Sequence, residues 1–175
     1  APAAPAATAV PTSTLIPIPT AGPEVRTRGG ILRTFANSQT HSLEPLQVNV
    51  GEQTELEAIY GYLIGITPEG VLVPELASSW EATADGSQLI IRIQTGIKFH
   101  DGSDVDAAAV KDHLDRVRNP KWNALGIAFM EPIDSIWLLD PMTLRIDFKV
   151  PDIVVLGRLA TREGMIPSKK AMDDI

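Results

Sequence analysis

A mixed α+β fold is predicted by three features of this sequence. Two stretches alternate apolar and polar residues at the period of a strand, Gln88–Gln94 and Thr143–Lys149, and each sits beside a turn signal, Asp85-Gly86 and Asp140-Pro141. Between them, Val110, Leu114 and Val117 fall at i, i+4 and i+7, which is the period of a helix with one apolar stripe. Strands and helix of this length, with 44% hydrophobic residues in 175, can enclose a core.

Residues 1–28 stand apart from that pattern. Pro recurs every few positions among Ala and Thr, without helical or strand period, so the segment cannot bury enough apolar surface to offset the entropy of ordering. It is expected to be a disordered Ala/Pro/Thr-rich linker, extended because proline fixes φ and removes backbone donors. Such a spacer suits a stalk between an anchor and a folded body. Lipid anchoring would require a Cys before Ala1, and there is no basic, then apolar, signal-peptide pattern in these residues.

Folded sequence is expected from Gly29-Gly30, with a short strand over Ile31–Ala36 running into the polar loop Asn37–Ser42. Leu56, Ile59, Tyr60 and Leu63 mark one face of a helix over 52–62. Pro68-Glu69-Gly70 and Pro74 punctuate two short extended pieces, Leu63-Ile64 and Val71–Val73. Ala77-Ser78-Ser79 reads as a helical turn before Trp80, which is assigned to the core, and Asp85-Gly86 then opens a hairpin. Asp101-Gly102 is a second turn, and Ser103 with Asp106 forms a candidate capping box for the next helix. In that helix Lys111, Asp112, Asp115, Arg116 and Arg118 are assigned to the outer face, and Asn119-Pro120 ends it. Ile133–Leu139 and Thr143–Lys149 form a second hairpin, with Leu144, Ile146 and Phe148 inward. A last helix is expected from Pro151 or Asp152 through Leu156, Leu159 and Ala160.

Composition excludes several functions. There are 15 Lys+Arg against 22 Asp+Glu, a net charge of −7, which disfavours nucleic-acid and anionic-membrane partners because both need clustered cations. The absence of Cys removes disulfides, thiolate nucleophiles, cysteine zinc sites and iron–sulfur clusters. No apolar run approaches the roughly 20 residues of a membrane-spanning helix. No G-x-S-x-G elbow, phosphate-binding loop or dinucleotide fingerprint occurs.

The titratable candidates have bland readings beside the chemical ones. His113 has no second His at i+4, so it is read as a solvated helix residue rather than a metal ligand. His100-Asp101-Gly102 could hold a base, but turn and capping chemistry accounts for it. Glu52, Glu55 and Glu57 suit an acidic first helical turn, and neither they nor Asp104 with Asp106 form a convincing acid/base pair. Asn37, Ser38, Gln39 and His41 follow the expected entry strand, where open α/β sheets gather ligands, although a solvated connection would look the same. Tyr60 and Tyr62 lie beside Gly61 and Gly65, so one can face a cleft while the other packs. These six residues are the candidate ligand contacts, with no catalytic group, metal or cofactor expected. Trp122–Phe129 is read as a loop or short helix that lines a groove or covers the sheet.

From Leu72 to Pro120 the sequence closely resembles the family 5 extracellular solute-binding proteins, the peptide-, nickel- and oligosaccharide-capturing components of ABC importers. Four pieces carry the likeness in order: Pro74-Glu75-Leu76-Ala77 with Ser79-Trp80-Glu81; Asp85-Gly86 before a strand; Gly96-Ile97-Lys98-Phe99-His100-Asp101-Gly102; and the helix ending in Arg116 before Asn119-Pro120. Gly29–Arg33 looks like the family's entry strand, and Ser42-Leu43-Glu44-Pro45 stands where it usually has Leu-Asp-Pro. Ile133–Ile136 through Leu144 fits its following hairpin.

The resemblance implies a type II periplasmic-binding-protein fold, present as a small lobe and the start of the main lobe. Residues 29–50 would be the first segment of the main ligand-binding lobe, 51–163 the small α/β lobe and 164–175 the start of the return, with the rest of the main lobe and the opposing lobe absent. It further implies capture of a small solute, most often a short peptide, outside the cytoplasmic membrane, and delivery to ABC permease subunits without catalysis. A small lobe acting alone as a surface interaction module is the alternative.

Overall fold

The computed structural model describes residues 29–31, 33, 42–48, 54–122, 124–152 and 154–173. Two compact units divide the chain, 1–34 and 35–175. In the first, Ile31 and Arg33 carry no regular structure, and the rest of the strand expected over 31–36 lies outside the described residues, as does the whole expected linker, 1–28.

The second unit is built on a four-stranded antiparallel sheet of order β3-β4-β6-β5, comprising β3 (Ala77–Ala82), β4 (Gln88–Ile93), β5 (Ile133–Asp140) and β6 (Thr143–Phe148). Both expected hairpins are present. In the first, Trp80 faces Ile91 and Ala82 faces Leu89, while Gly86 takes the φ of +69° that the Asp-Gly turn requires. β4 and β6 then pair Leu89 with Ile146 and Ile91 with Leu144. Because strand side chains alternate, this register gathers Leu89, Ile91, Ile93, Leu144 and Ile146 on one buried face. The opposite face carries Gln88, Arg92, Arg145 and Asp147 together with Ile90 and an exposed Trp137, whose Nε1 donates to Asp147 Oδ2 at 2.9 Å.

Helix α2 (Ala107–Arg118) covers the buried face with Val110, Leu114 and Val117, the stripe its spacing predicts. Its N-cap is Asp106, whose carboxylate accepts the Ala109 N–H at 2.8 Å. The expected capping box headed by Ser103 is therefore corrected. Ser103 is held one turn earlier, donating its N–H to Asp101 Oδ1 at 2.9 Å, and the Val105 N–H to Ile97 carbonyl bond keeps 103–105 extended until Asp106.

Three further expectations change. The helix expected over 52–62 is the single turn α1 (Thr54–Glu57), because Tyr62 N–H is taken by Glu75 Oε1 at 2.8 Å and Tyr62 bridges Met165, which needs extended chain. Ala77-Ser78-Ser79 is not a helical turn but the start of β3, held by the pairing of Ala77 with Ile93 and Ser79 with Arg92; Trp80 nonetheless packs against the core. The last helix contracts to α3 (Val155–Arg158), with Asp152 accepting the Val154 N–H at 2.9 Å. A small hairpin of β1 (Ile64–Ile66) and β2 (Leu72–Pro74), and a terminal α4 (Lys169–Asp173), complete the elements. Residues 120–130 form two 3-10 turns, Pro120–Trp122 and Ile127–Met130, that flank the end of α2.

Two segments remote in sequence lie against each other. Leu63 N–H donates to the Gly164 carbonyl at 2.7 Å and Ile166 N–H to the Gly61 carbonyl at 3.3 Å, so 61–63 and 164–166 run side by side.

Candidate functional site

Of the six candidate contacts, Asn37, Ser38, Gln39 and His41 lie outside the described residues. Tyr60 and Tyr62 sit on the extended stretch that follows α1. Two apart on such a stretch, both rings reach one small apolar cluster of Val48, Leu56 and Met165. Their hydroxyls diverge. Tyr60 donates to the Leu43 carbonyl at 3.0 Å, whereas Tyr62 donates to Glu57 Oε1 at 3.1 Å. Partial burial, then the nearby Glu44 carboxylate, raises the Tyr60 phenol above its usual range; burial and Glu57 raise that of Tyr62. Both phenols stay neutral donors at physiological pH.

Tyr60 lines a recess of about 370 Å³ and Tyr62 does not. Its walls are Ile59, Leu76, Ile97, Phe99 and Ile166, with His100, Asp101 and Ser168 as polar groups. The carboxyl of Asp101 is held down to about 2 by hydrogen bonds from Ser103, which fixes it as the turn-former it was expected to be. Asp104 is paired with Lys98 at 2.6 Å and Asp106 caps α2, so neither carboxylate is available for acid/base work. No group of three or more His, Asp or Glu among the described residues could hold a metal ion.

Next to this region lies a buried polar network that the spacing of α2 did not predict. Arg116, assigned to the outer face, is only 9% exposed and grips both oxygens of Glu44, Nη1 to Oε2 at 2.9 Å and Nη2 to Oε1 at 3.2 Å. His113 is likewise not solvated but 3% exposed. Its Nε2 meets the Glu163 carbonyl at 3.0 Å and its Nδ1 faces Arg116 Nη2 at 3.3 Å, so the neutral ring donates at Nε2 and accepts at Nδ1. The stripe of α2 is wider than Val110, Leu114 and Val117 because the segments at 42–48 and 162–166 pack beside it. The signal was present in the sequence, since Glu44 and Arg116 both stand in the motif pieces.

Burial, reinforced by the Arg116 charge, pushes His113 down to about 3. The unfolded chain then takes up a proton below about pH 6.5 that the folded chain refuses, so stability falls as pH falls through that value. Between pH 6.5 and 5.5 this one residue is expected to remove about 1 kcal/mol. Urea titrations at the two pH values check it: the His113→Asn variant is expected to lose less stability over that interval than the wild type.

The comparisons with known proteins agree with this architecture. Residues 71–174 match the bacterial extracellular solute-binding proteins, family 5, middle region. The glutathione-binding protein GsiB of Pectobacterium atrosepticum is 33% identical over 132 residues, 75% of this chain and 26% of that protein. The structure of the periplasmic binding protein AgaA from A. tumefaciens in complex with agropinic acid superposes with a TM-score of 0.72 at 27% identity, covering 78% of this chain and 28% of the other. NikZ from Campylobacter jejuni in complex with Ni(L-His) gives 0.70 at 25% identity, with coverage of 75% and 26%. An oligopeptide-binding protein of Borrelia burgdorferi, at 18% identity and a TM-score of 0.72, shares the fold. The chain thus spans about a quarter of the length of the curated relatives it matches, and no helix among the described residues is long and apolar enough to cross a membrane. The helix-covered sheet, its two hairpins and the sequence match together place this chain in the family 5 bacterial extracellular solute-binding proteins, with the type II periplasmic-binding-protein fold.

Proposed function

We propose that this chain is the N-terminal portion of the substrate-binding component of an ABC import system. It contributes to capturing a small solute outside the cytoplasmic membrane and handing it to the permease. The observation that carries the reading is the family match over 71–174, supported by relatives and solved neighbours whose names specify glutathione, agropinic acid and a nickel–histidine chelate as ligands. Glutathione is itself a short peptide, which favours the peptide class expected from the sequence. In this reading residues 29–50 belong to the main lobe, 51–163 to the small lobe and 164–175 to the return, and 1–28 tether the body to the membrane surface through a lipid anchor upstream.

Solute contacts are assigned to Asn37, Ser38, Gln39, His41, Tyr60 and Tyr62. A cleft in such proteins is mostly apolar with few polar groups that fix orientation, which matches the neutral phenol of Tyr60 on an apolar recess. Closure of two lobes around the solute would supply the rest of the contacts. No bond is made or broken in this work.

The test is calorimetry on two proteins, the chain of 175 residues and the product of the full reading frame, each titrated with glutathione and with a mixture of short peptides. Micromolar binding by the longer protein and none by the shorter is the expected result. Equal binding by both, or binding by neither, would sink the reading.

A further inference from the structure

Glu44 and Arg116 are 72 positions apart, yet they form an enclosed ion pair between segment 42–48 and helix α2. The Glu44 side chain is 14% exposed and that of Arg116 9%. A pair withdrawn from water to this degree gives back in attraction about what it loses in hydration, so two apolar side chains of similar volume would hold the segments together as well. What an apolar pair cannot supply is direction. The guanidinium is fixed by four partners, the Glu44 carboxylate, Met172 Sδ at 2.7 Å, His113 Nδ1 at 3.3 Å and the Trp122 ring, whose centroid lies 5.6 Å from Cζ. Glu44 Oε1 in turn accepts the Leu46 N–H at 3.2 Å, capping the 3-10 turn Pro45–Gln47. The carboxylate therefore fixes the peptide that follows it, while the Glu44 N–H donates to Ser42 Oγ at 3.0 Å on the other side.

The carbonyl immediately before Glu44 belongs to Leu43, and it receives the Tyr60 hydroxyl. Two directed contacts, Arg116 to the Glu44 carboxylate and the Tyr60 hydroxyl to the Leu43 carbonyl, are thus joined by the one stretch of backbone between Leu43 and Glu44. Tyr62 has no part in that arrangement, because its hydroxyl is held by Glu57 within its own segment. Both rings nonetheless rest on the same apolar cluster.

We propose that Arg116 and Glu44 are positioning residues for the solute site, setting the direction of the Tyr60 phenol through the Leu43 carbonyl. The proposal rests on the assignment of Tyr60 as a solute contact. Arg116 touches no solute itself. It limits the orientations of Tyr60 before the solute arrives, which lowers the ordering cost of binding.

The chain has two tyrosines, so ring-labelled tyrosine gives two NMR signals, assigned through Tyr62→Phe. In Arg116→Met the Tyr60 signal is expected to broaden or split while that of Tyr62 stays sharp. Amide exchange at Leu46 and Gln47 is expected to rise about tenfold with β4 and β6 unchanged, the mark of local rather than global opening. Glu44→Asp, which keeps the charge, is expected to retain a single Tyr60 signal, and Glu44→Gln is expected to lose it. A Tyr60 signal unaltered in Arg116→Met would overturn the proposal, as would broadening of both tyrosines together with faster exchange across the sheet, which is what a purely structural ion pair would produce. In the full-reading-frame protein, glutathione affinity is expected to fall about tenfold in Arg116→Met, or about 1.4 kcal/mol. Absence of glutathione binding by the wild type would count against the solute reading, while the tyrosine signals still decide the positioning.

Discussion

Gly164→Ala is expected to lower stability by about 3 kcal/mol, the upper part of the range for forcing atoms into a filled site. A Cβ built on Gly164 would lie 1.9 Å from the Leu159 carbonyl oxygen, and that oxygen is backbone, so it cannot swing away as a side chain would. Relief requires the turn 162–164 to move as a unit. That movement would strain the Leu63 N–H to Gly164 carbonyl bond and the Ile64 N–H to Leu159 carbonyl bond at 3.3 Å, both of which join the two crossing segments. Urea denaturation checks the size of the effect, with a lower midpoint at unchanged slope. Gly157→Ala is the control: it lies in α3 with nothing within 4 Å of the added methyl, and it is expected to stabilise by roughly 0.5–1 kcal/mol. Equal effects at the two glycines would mean that the close approach at 164 is not what limits the site.

The second large effect is expected at Glu163. Its carboxylate is buried, accepting from Arg162 Nε at 2.9 Å and from the Thr161 hydroxyl at 2.6 Å, and it fits against Gly126 with no room for a side chain there. Arg162 is buried as well, and its Nη1 donates to the Val48 carbonyl. Glu163→Ala leaves that guanidinium enclosed without its counter-charge, a change that typically costs about 3–5 kcal/mol. Arg162→Met combined with Glu163→Leu removes both charges and is expected to cost less than Glu163→Ala alone, close to the roughly 1 kcal/mol of the lost bond to Val48. Thermal and urea unfolding of Arg162→Met, Glu163→Leu and the double variant give the coupling directly. Additive losses would refute the view that the unpaired charge dominates.

The parts of this fold that were legible in the sequence are those whose signals are local. Asp85-Gly86 and Asp140-Pro141 lie between alternating strands, and the register follows from the turn once one face is apolar. Val110, Leu114 and Val117 repeat at helical spacing in a segment long enough to outvote its neighbours. The errors share the opposite character. Leu56, Ile59, Tyr60 and Leu63 do repeat at helical spacing, but Met165, more than a hundred residues later, claims Tyr62 for a bridge and ends the helix early. Ala77–Ser79 has small residues that suit either state, and pairing with β4 decides it. His113 and Arg116 read as outward because periodicity locates only the centre of an apolar stripe. Whether a flanking polar residue meets water depends on what packs beside it, here the remote segment carrying Glu44. The same limit applies to the site, where Tyr60 could be named from its setting but its anchor at Leu43 could not.

The side-by-side crossing at 61–63 and 164–166 makes the intervening chain a cassette. Its ends meet, so they could be joined and the chain reopened at an outer turn such as Asp85-Gly86. Segment 42–48 stays tied to the cassette all the same, through Glu44 to Arg116, Leu46 to Leu125 and Val48 to Arg162, so a change inside it is felt by chain outside it.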